Sequence, residues 1–269
     1  MVRPRLPRGR RHVAGDPPDH LPRRSVVPPN PRGSLRLVTR IAALVALLAT
    51  ACTSGRGESV RALPADRSAA VRYVALGDST VEGVGASSPD RNYVSRVHER
   101  LRDVYPNARV TNLGAGGATS ADVLVRQLDR AIELRPHLVT LSIGPNDITT
   151  RVTVDTYEKN LDTILGRLRH ETTAVAVVNL IPDLAVTPRF RRSRARDAVG
   201  RQTVVFNEAL ERQGRAHGAE LVDLYAASRR EVPLHPELIW SDGYHPSDAG
   251  YALWAELVWT GVEARIAVR

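Results

Sequence analysis

Five runs of apolar residues recur along the chain, and each of them is short and continuous. Alternating apolar and polar positions are typical of strands with one face in water, whereas continuous runs indicate strands that are covered on both faces of a parallel sheet. The sequence therefore predicts five buried strands, at residues 71–77, 108–114, 137–144, 173–181 and 219–225.

Segments with helical spacing separate and follow these runs. In the first of them Val94, Val97 and Leu101 recur every three or four positions, as on one face of a helix. The predicted helices are residues 92–105, 120–135, 154–171, 196–218 and 247–266. Strands that alternate with helices in this way favour a single α/β domain: a doubly wound, flavodoxin-like three-layer sandwich with a five-stranded parallel sheet.

The pattern changes ahead of the first strand. Residues 1–34 are rich in Pro and Arg and have almost no apolar periodicity, which predicts a disordered extension. Residues 35–52 include an apolar stretch that is too short to span a bilayer comfortably but suits a signal peptide. Residues 53–70 are small and polar and are predicted to be a linker. The globular domain is then expected to cover residues 71–269.

The signal segment ends at Cys52, the only cysteine of the chain, and two interpretations fit it. The stretch LATAC resembles the lipobox of bacterial lipoproteins, in which the cysteine carries the lipid. Ala49-Thr50-Ala51 equally fits an ordinary A-x-A cleavage site. The protein is therefore expected to be secreted, or anchored to the outer face of the bacterial cytoplasmic membrane through a lipidated Cys52.

The charge of the chain is concentrated in its leader. The formal net charge is +9, but residues 1–52 hold ten arginines and two aspartates, which leaves only +1 for the remaining residues. The globular part therefore gives no support for a nucleic-acid partner. A single cysteine excludes an internal disulfide and a cysteine-based zinc cluster, and neither an H-x-x-x-H motif nor a carboxylate cluster indicates a metal.

Polar and glycine-rich segments follow several of the predicted strands. Because functional sites of open α/β sheets lie outside the carboxyl ends of the strands, these segments are expected to meet at one edge. They are Ser79 in a Gly-Asp-Ser turn, the glycine-rich stretch 112–120, Asn146 in a Gly-Pro-Asn-Asp turn, and Asp242 with His245 in the stretch 241–246.

These residue types suit nucleophilic catalysis on an acyl group. A serine hydroxyl is a weak nucleophile that needs a base, and His245 could take its proton while Asp242 fixes the imidazole tautomer. Acyl transfer also needs donors for the developing oxyanion. The backbone N–H of Ser79, the backbone N–H of Gly117 and the side-chain amide of Asn146 are the candidates, with Gly116 as an alternative to Gly117.

Together these segments resemble the blocks of the SGNH hydrolase superfamily, the GDSL-like lipases and esterases, over roughly residues 71–269. The resemblance implies that Ser79 is the nucleophile, Gly117 and Asn146 belong to the oxyanion hole, and Asp242 and His245 are the acid and the base. The chain departs from the pattern at two positions. Thr80 stands where GDSL has leucine, and Pro145 stands where many members have glycine.

The sequence therefore predicts an exported esterase or lipase that needs no cofactor and acts on a small-molecule or polymer-borne ester. Trp240 and Tyr244 flank the Asp–His stretch and are predicted to line the substrate pocket. Two alternatives stay open: an O-acyltransferase that uses the same residues, and a non-catalytic envelope-binding protein on the same scaffold. The intact set of five residues argues against the binding protein.

Overall fold

The structure is a computed structural model, and it describes residues 61–267. The predicted extension 1–34, the predicted signal segment 35–52 with Cys52, and the first residues of the predicted linker lie outside the described residues and stay predictions.

A parallel sheet of five strands forms the centre of the described residues. The strands are β1 (Arg72–Gly77), β2 (Arg109–Asn112), β3 (Leu138–Ser142), β4 (Val175–Asn179) and β5 (Glu220–Val222). Their order is β2-β1-β3-β4-β5, and every neighbouring pair is parallel. This is the flavodoxin-like order of a doubly wound sheet, so the predicted fold is confirmed. Each strand is shorter than its predicted apolar run.

Ten helices connect and cover the strands in the described part of the chain. They are α1 (Ser79–Glu82), α2 (Tyr93–Val104), α3 (Ser120–Asp122), α4 (Leu128–Glu133), α5 (Pro145–Thr149), α6 (Val154–Glu171), α7 (Pro188–Arg191), α8 (Arg196–Ala216), α9 (Leu224–Glu231) and α10 (Asp248–Glu263). A π-helical segment, Val123–Gln127, joins α3 to α4. Short 3₁₀ turns lie at Pro89–Arg91, Leu184–Val186 and Pro236–Leu238.

The two faces of the sheet are buried in two separate hydrophobic cores. Along β1, Val74 and Leu76 face the core that is shared with α4, α6 and α8, whereas Tyr73 and Ala75 face the core shared with α2 and α10. Because both faces are covered, every position of these strands favours an apolar residue. This explains the continuous runs in the sequence and gives the three layers of the sandwich.

Part of the predicted linker is packed against the domain. Leu63 is 1% exposed and forms a parallel β-bridge with Ile266 near the end of the chain. The guanidinium of Arg61 donates a hydrogen bond of 3.1 Å to the backbone carbonyl of Ala174. The described residues 61–70 are therefore part of the folded domain, because one apolar side chain and its neighbours hold a segment whose composition is otherwise small and polar.

The last predicted strand is wrong at its carboxyl end. β5 stops at Val222, and residues 224 and 225 begin helix α9 instead of continuing the strand. Asp223 caps this helix, since its side chain accepts a hydrogen bond of 2.8 Å from the Ala226 N–H.

No helix between residues 61 and 267 is both long enough and apolar enough to cross a bilayer.

Candidate active site

Ser79 stands directly after the carboxyl end of β1. The turn begins at Gly77, whose φ is +143° and where an added Cβ would lie 2.0 Å from the Ser142 carbonyl oxygen, so no other residue fits. Asp78 then caps α1, because its Oδ1 accepts hydrogen bonds from the backbone N–H (2.9 Å) and the hydroxyl (2.8 Å) of Thr80. Ser79 is the first residue of that short helix and is only 8% exposed.

The structure brings the three residues of the predicted triad together. The Ser79 Oγ lies 2.8 Å from the His245 Nε2. The other ring nitrogen of His245, Nδ1, lies 2.5 Å from the Asp242 Oδ2. The serine and the histidine are 166 positions apart in the sequence, so only the tertiary fold creates their contact. The arrangement lets a base take the serine proton while a carboxylate holds the imidazole in the required tautomer.

The loop that carries Asp242 and His245 is closed by its own hydrogen bonds. The Asp242 Oδ1 accepts from the backbone N–H groups of Tyr244 (2.8 Å) and His245 (3.0 Å), which leaves Oδ2 for the imidazole. The Trp240 N–H donates to the His245 carbonyl at 2.8 Å. A spacing of three residues therefore suffices to hold the carboxylate and the imidazole at hydrogen-bonding distance.

Two aspartates of the site, Asp78 beside Ser79 and Asp242 in the triad, have opposite pKa shifts. Burial raises the pKa of Asp78 to about 6, although the hydrogen bonds from Thr80 and the charge of His245 act in the opposite direction. Partial burial also acts to raise the pKa of Asp242, but the hydrogen bonds from His245 and Tyr244 outweigh it and lower the pKa. Asp242 is therefore the carboxyl group of this pair that stays ionised most readily.

The candidate oxyanion residues lie on two turns that are tied to each other. Asn146 is the second residue of α5, which follows β3, and its Nδ2 donates a hydrogen bond of 2.9 Å to the Ala118 carbonyl. This bond uses one N–H of the amide and leaves the second available. Gly117 precedes Ala118, has a φ of +78° and has no atom within 4 Å of an added Cβ, so the approach to its backbone is open.

A buried network supports these two turns from below. Asp147 is fully buried and accepts hydrogen bonds from the Ser120 N–H and, at 2.6 Å, from the Ser120 hydroxyl. Burial raises the pKa of Asp147, although the hydrogen bonds from Ser120 act in the opposite direction. A serine can cap a helix, but the cap here is the neighbouring Thr119, which forms a capping box with Asp122. The Ser120 side chain serves the network instead.

An apolar pocket opens beside Ser79. Ser79 and His245 are part of its lining, and α9, α10 and two of the 3₁₀ turns contribute further residues. Tyr244 lines this pocket as predicted, and its hydroxyl is buried without a hydrogen-bond partner. Trp240 is not part of the lining and is 44% exposed. The α9 residues of the pocket are not apparent from the sequence, because the start of that helix lies within the predicted strand 219–225.

The described residues contain no group of three or more His, Cys, Asp or Glu side chains placed to hold a metal ion. The absence of a cofactor stays a prediction. The assembled geometry has the features of a serine hydrolase: a serine on a helix N-terminus, an imidazole on its hydroxyl, a carboxylate on the imidazole, and open donors nearby.

The class defined by this fold and site agrees with the comparison with known families. The chain belongs to the GDSL-like lipase/acylhydrolase family, whose model matches residues 75–253. The resemblance drawn from the sequence motifs is thereby confirmed. By class the protein is a carboxylic ester hydrolase.

Individual relatives show how far the likeness extends. A lipase of Streptomyces rimosus is 37% identical over 121 residues, which is 42% of this chain and 44% of that protein. An acetylxylan esterase of Geobacillus stearothermophilus is 25% identical over 193 residues, 66% of this chain and 84% of that protein. The crystal structure of LAE5, an enzyme from the metagenome of Lake Arreo in Spain, superposes with a TM-score of 0.61 at 23% identity, covering 74% of this chain and 98% of that chain. This last likeness concerns the fold.

Proposed function

We propose that the protein hydrolyses carboxylic esters through an acyl-enzyme on Ser79. The Ser79 Oγ attacks the ester carbonyl carbon, and His245 takes the hydroxyl proton as the C–O bond forms. The tetrahedral intermediate collapses, the alcohol leaves with that proton from His245, and the acyl group stays on Ser79. Water then attacks the acyl-serine, His245 takes a proton from the water and returns it to Ser79, and the carboxylic acid is released.

The observation that carries this proposal is the unbroken chain of contacts from the Ser79 hydroxyl through the imidazole of His245 to the carboxylate of Asp242. Asp242 stabilises the imidazolium that forms in both half-reactions. The backbone N–H groups of Ser79 and Gly117 and the free N–H of Asn146 stabilise the negative oxygen of the intermediate. These roles are the ones that the motifs implied from the sequence.

We propose further that the substrate is an ester of a short acyl group. The pocket lined by Ser79 and His245 is otherwise mostly apolar, so it suits an apolar acyl group, whereas the alcohol of a polymer must continue into solvent. The name of the acetylxylan esterase relative is consistent with an acetyl ester on a carbohydrate. The alcohol part is therefore expected to point away from the pocket.

The first test compares the protein with its Ser79→Ala variant on p-nitrophenyl acetate, butyrate and decanoate. We expect kcat to fall by about 10⁴-fold or more in the variant, because the nucleophile is lost. A Ser68→Ala variant, changed at an exposed serine, serves as the control. Full activity of Ser79→Ala would overturn the proposal, and transfer of the acyl group to an added sugar in preference to water would indicate an O-acyltransferase instead.

Replacing a small residue of the pocket lining by a larger one tests whether the pocket holds the acyl group. Ala227 lies on α9 and lines the pocket, whereas its neighbour Ala226 is exposed on the same helix. We expect Ala227→Leu to lower kcat/KM for butyrate about tenfold while acetate is spared, and Ala226→Leu to change neither. Equal losses on both esters, or none, would contradict the placement of the acyl group.

We also propose that the protein is exported, on the strength of the apolar stretch that precedes Cys52. If Cys52 carries a lipid, the protein of the producing cell will be found with the membrane, and Cys52→Ser will move it to the soluble fraction. If the A-x-A site is used, the wild-type protein will be found in the medium and Cys52→Ser will change nothing. Retention of the uncleaved chain inside the cell would refute export.

A further inference from the structure

The buried side chain of Gln127 makes two hydrogen bonds to the backbone of a single distant residue. Its Nε2–H donates to the Gly77 carbonyl at 2.8 Å, and its Oε1 accepts from the Gly77 N–H at 2.9 Å. Gln127 is 4% exposed and lies 50 positions away in the sequence. Gly77 is the residue from which the chain turns into Asp78 and Ser79, so this amide is attached to the base of the nucleophile turn.

Gly77 needs these partners because its neighbouring strand ends too early. The ladder between β1 and β2 stops at the pair Ala75 and Asn112, and the Leu113 N–H bonds to the Ala75 carbonyl. Beyond that point β2 departs into the glycine-rich turn. Since the carbonyls of alternate residues of a strand point to the same side, Gly77 faces the place that β2 has left. A buried backbone N–H and C=O without partners would be costly.

Gln127 therefore replaces the missing strand residue. Its amide offers one donor and one acceptor in the arrangement that a peptide group of β2 would have offered. The Gly77 carbonyl also accepts a hydrogen bond of 3.2 Å from the Ala115 N–H, which belongs to the turn that contains Gly117. The amide thus allows β2 to end early and form the candidate oxyanion turn while β1 stays fully paired up to Ser79.

The helix around Gln127 is distorted where the side chain projects. Residues Val123–Gln127 form a π-helical segment, in which the Leu128 N–H bonds to the Val123 carbonyl, and Gln127 itself has a φ of −115°. Such π turns cost helical hydrogen-bond geometry and often occur at functional sites. The distortion and the two hydrogen bonds concern the same residue, which supports a specific role for its side chain.

We propose that Gln127 is a positioning residue for the ester hydrolysis. It fixes the end of β1, and with it the distance between the Ser79 hydroxyl and the oxyanion donors on the neighbouring turn. This inference rests on the proposed function. A nucleophile that is misplaced by a fraction of an ångström loses rate in the chemical step, whereas substrate binding in the apolar pocket is largely unaffected.

The chain supplies a matched control for this amide. Asn207 makes the same pair of bonds to the backbone of Ile181, with its Nδ2 donating at 2.8 Å and its Oδ1 accepting at 2.7 Å. It is 6% exposed, so its burial is similar. Ile181 follows the end of β4 and adjoins no member of the triad. Loss of either amide leaves a buried backbone N–H without its acceptor, but only the loss of Gln127 releases the nucleophile turn.

The experiment uses Gln127→Met and Asn207→Leu, which remove the amides but keep an apolar side chain of similar size. We expect Gln127→Met to lower kcat about 10- to 100-fold with KM within about twofold of wild type. Asn207→Leu is expected to lose as much stability in urea but to keep kcat within about threefold of wild type. Equal kcat values for the two variants at equal stability would overturn the proposal.

A rescue variant and a readout without substrate complete the test. In Gln127→Glu a protonated carboxyl can donate to and accept from Gly77 as the amide does, so we expect its kcat relative to wild type to rise as the pH is lowered. Hydrogen exchange of the Gly77 amide is expected to be about 100-fold faster in Gln127→Met than in wild type. Unchanged exchange overturns the proposal even if the wild-type protein proves to have no ester turnover, a result that would refute the proposed function separately.

Discussion

The two halves of the candidate site are built in opposite ways. Ser79 lies in the interior, on a turn that continues a central strand, and hydrogen bonds from three parts of the chain fix the residues beside it. Asp242 and His245 lie on a surface loop whose hydrogen bonds are mostly internal, and the side chain of Asp242 is 30% exposed. Ser79 is therefore positioned by the sheet, whereas Asp242 and His245 are positioned by a local turn.

The two aspartates show what this difference means electrostatically. Asp78 is buried in the sheet half, where desolvation raises its pKa to about 6. Asp242 lies in the loop half, where backbone and imidazole N–H donors lower its pKa. The proposed mechanism needs an ionised carboxylate next to the imidazole, and the loop offers one without the full cost of burying a charge. The interior offers a geometry that the loop could not hold as firmly.

After the loss of Ser79 itself, the largest expected effect comes from breaking the loop half. Asp242→Asn keeps an oxygen that can accept from the Tyr244 and His245 N–H groups, so the loop should keep its shape, but it places an amide against the His245 Nδ1. Because the imidazole is then held in the wrong tautomer, we expect kcat to fall by about 10³- to 10⁴-fold. The measurement is p-nitrophenyl ester turnover together with urea unfolding.

Asp248→Asn is the matched control for that variant. Asp248 follows the same loop and accepts hydrogen bonds from the Ser87 N–H (2.8 Å) and hydroxyl (2.6 Å), but it does not touch His245. It should lose stability rather than kcat. If Asp242→Asn keeps more than about a tenth of wild-type kcat, the assigned role of the carboxylate is wrong.

A smaller effect is expected in the sheet half. Asn146→Ala removes one oxyanion donor and the bond to the Ala118 carbonyl, and we expect kcat to fall by about 10²- to 10³-fold with little change in KM. Asn107→Ala is the control, since that exposed side chain also donates a single bond, of 2.9 Å, to a backbone carbonyl, that of Ser68. A rise in KM with unchanged kcat would show that Asn146 binds the ground state instead.

The sequence predicts the strands and the site residues better than the residues that support them, and the reasons are physical. The strands are visible because burial on both faces makes them apolar, and the site residues are visible because polar groups at successive strand ends must converge at one edge. Gln127 is not visible in this way, since its role depends on where β2 leaves the sheet, 50 positions from Gly77. Leu63 is similar, because a single apolar residue in a polar segment gives no periodic signal.

The start of α9 lies between these cases. Asp223 and the short amphipathic stretch after it form a recognisable helix start. They come directly after an apolar run, however, and the predicted strand 219–225 includes the first of these residues. The part of the pocket wall on α9 is therefore not apparent from the sequence, although Ser79 and His245 in its lining are. Site residues can thus be inferred from the sequence where they follow successive strands. A side chain that replaces a missing backbone hydrogen-bond partner can be recognised only in the tertiary structure.

The smallest expected effect concerns the pH dependence of stability, where the two aspartates should act with opposite sign. The pKa of Asp78 is higher in the folded chain than in the unfolded chain, so its folded form holds the proton more tightly, and stability is lost as the pH rises from about 4 through about 6. Asp242 has a lowered pKa, so its contribution is present at neutral pH and is lost on acidification.

Asp78→Asn isolates the first of these contributions. The amide keeps an oxygen for the Thr80 N–H but does not titrate, so the fall in unfolding free energy between pH 4 and pH 7 should shrink by about 2 kcal/mol, most of the value of a two-unit shift. Urea unfolding across this range measures it, with Asp103→Asn on the exposed face of α2 as the control. An unchanged pH profile would mean that the sheet half tolerates an ionised Asp78, and the electrostatic contrast between the two halves would then be wrong.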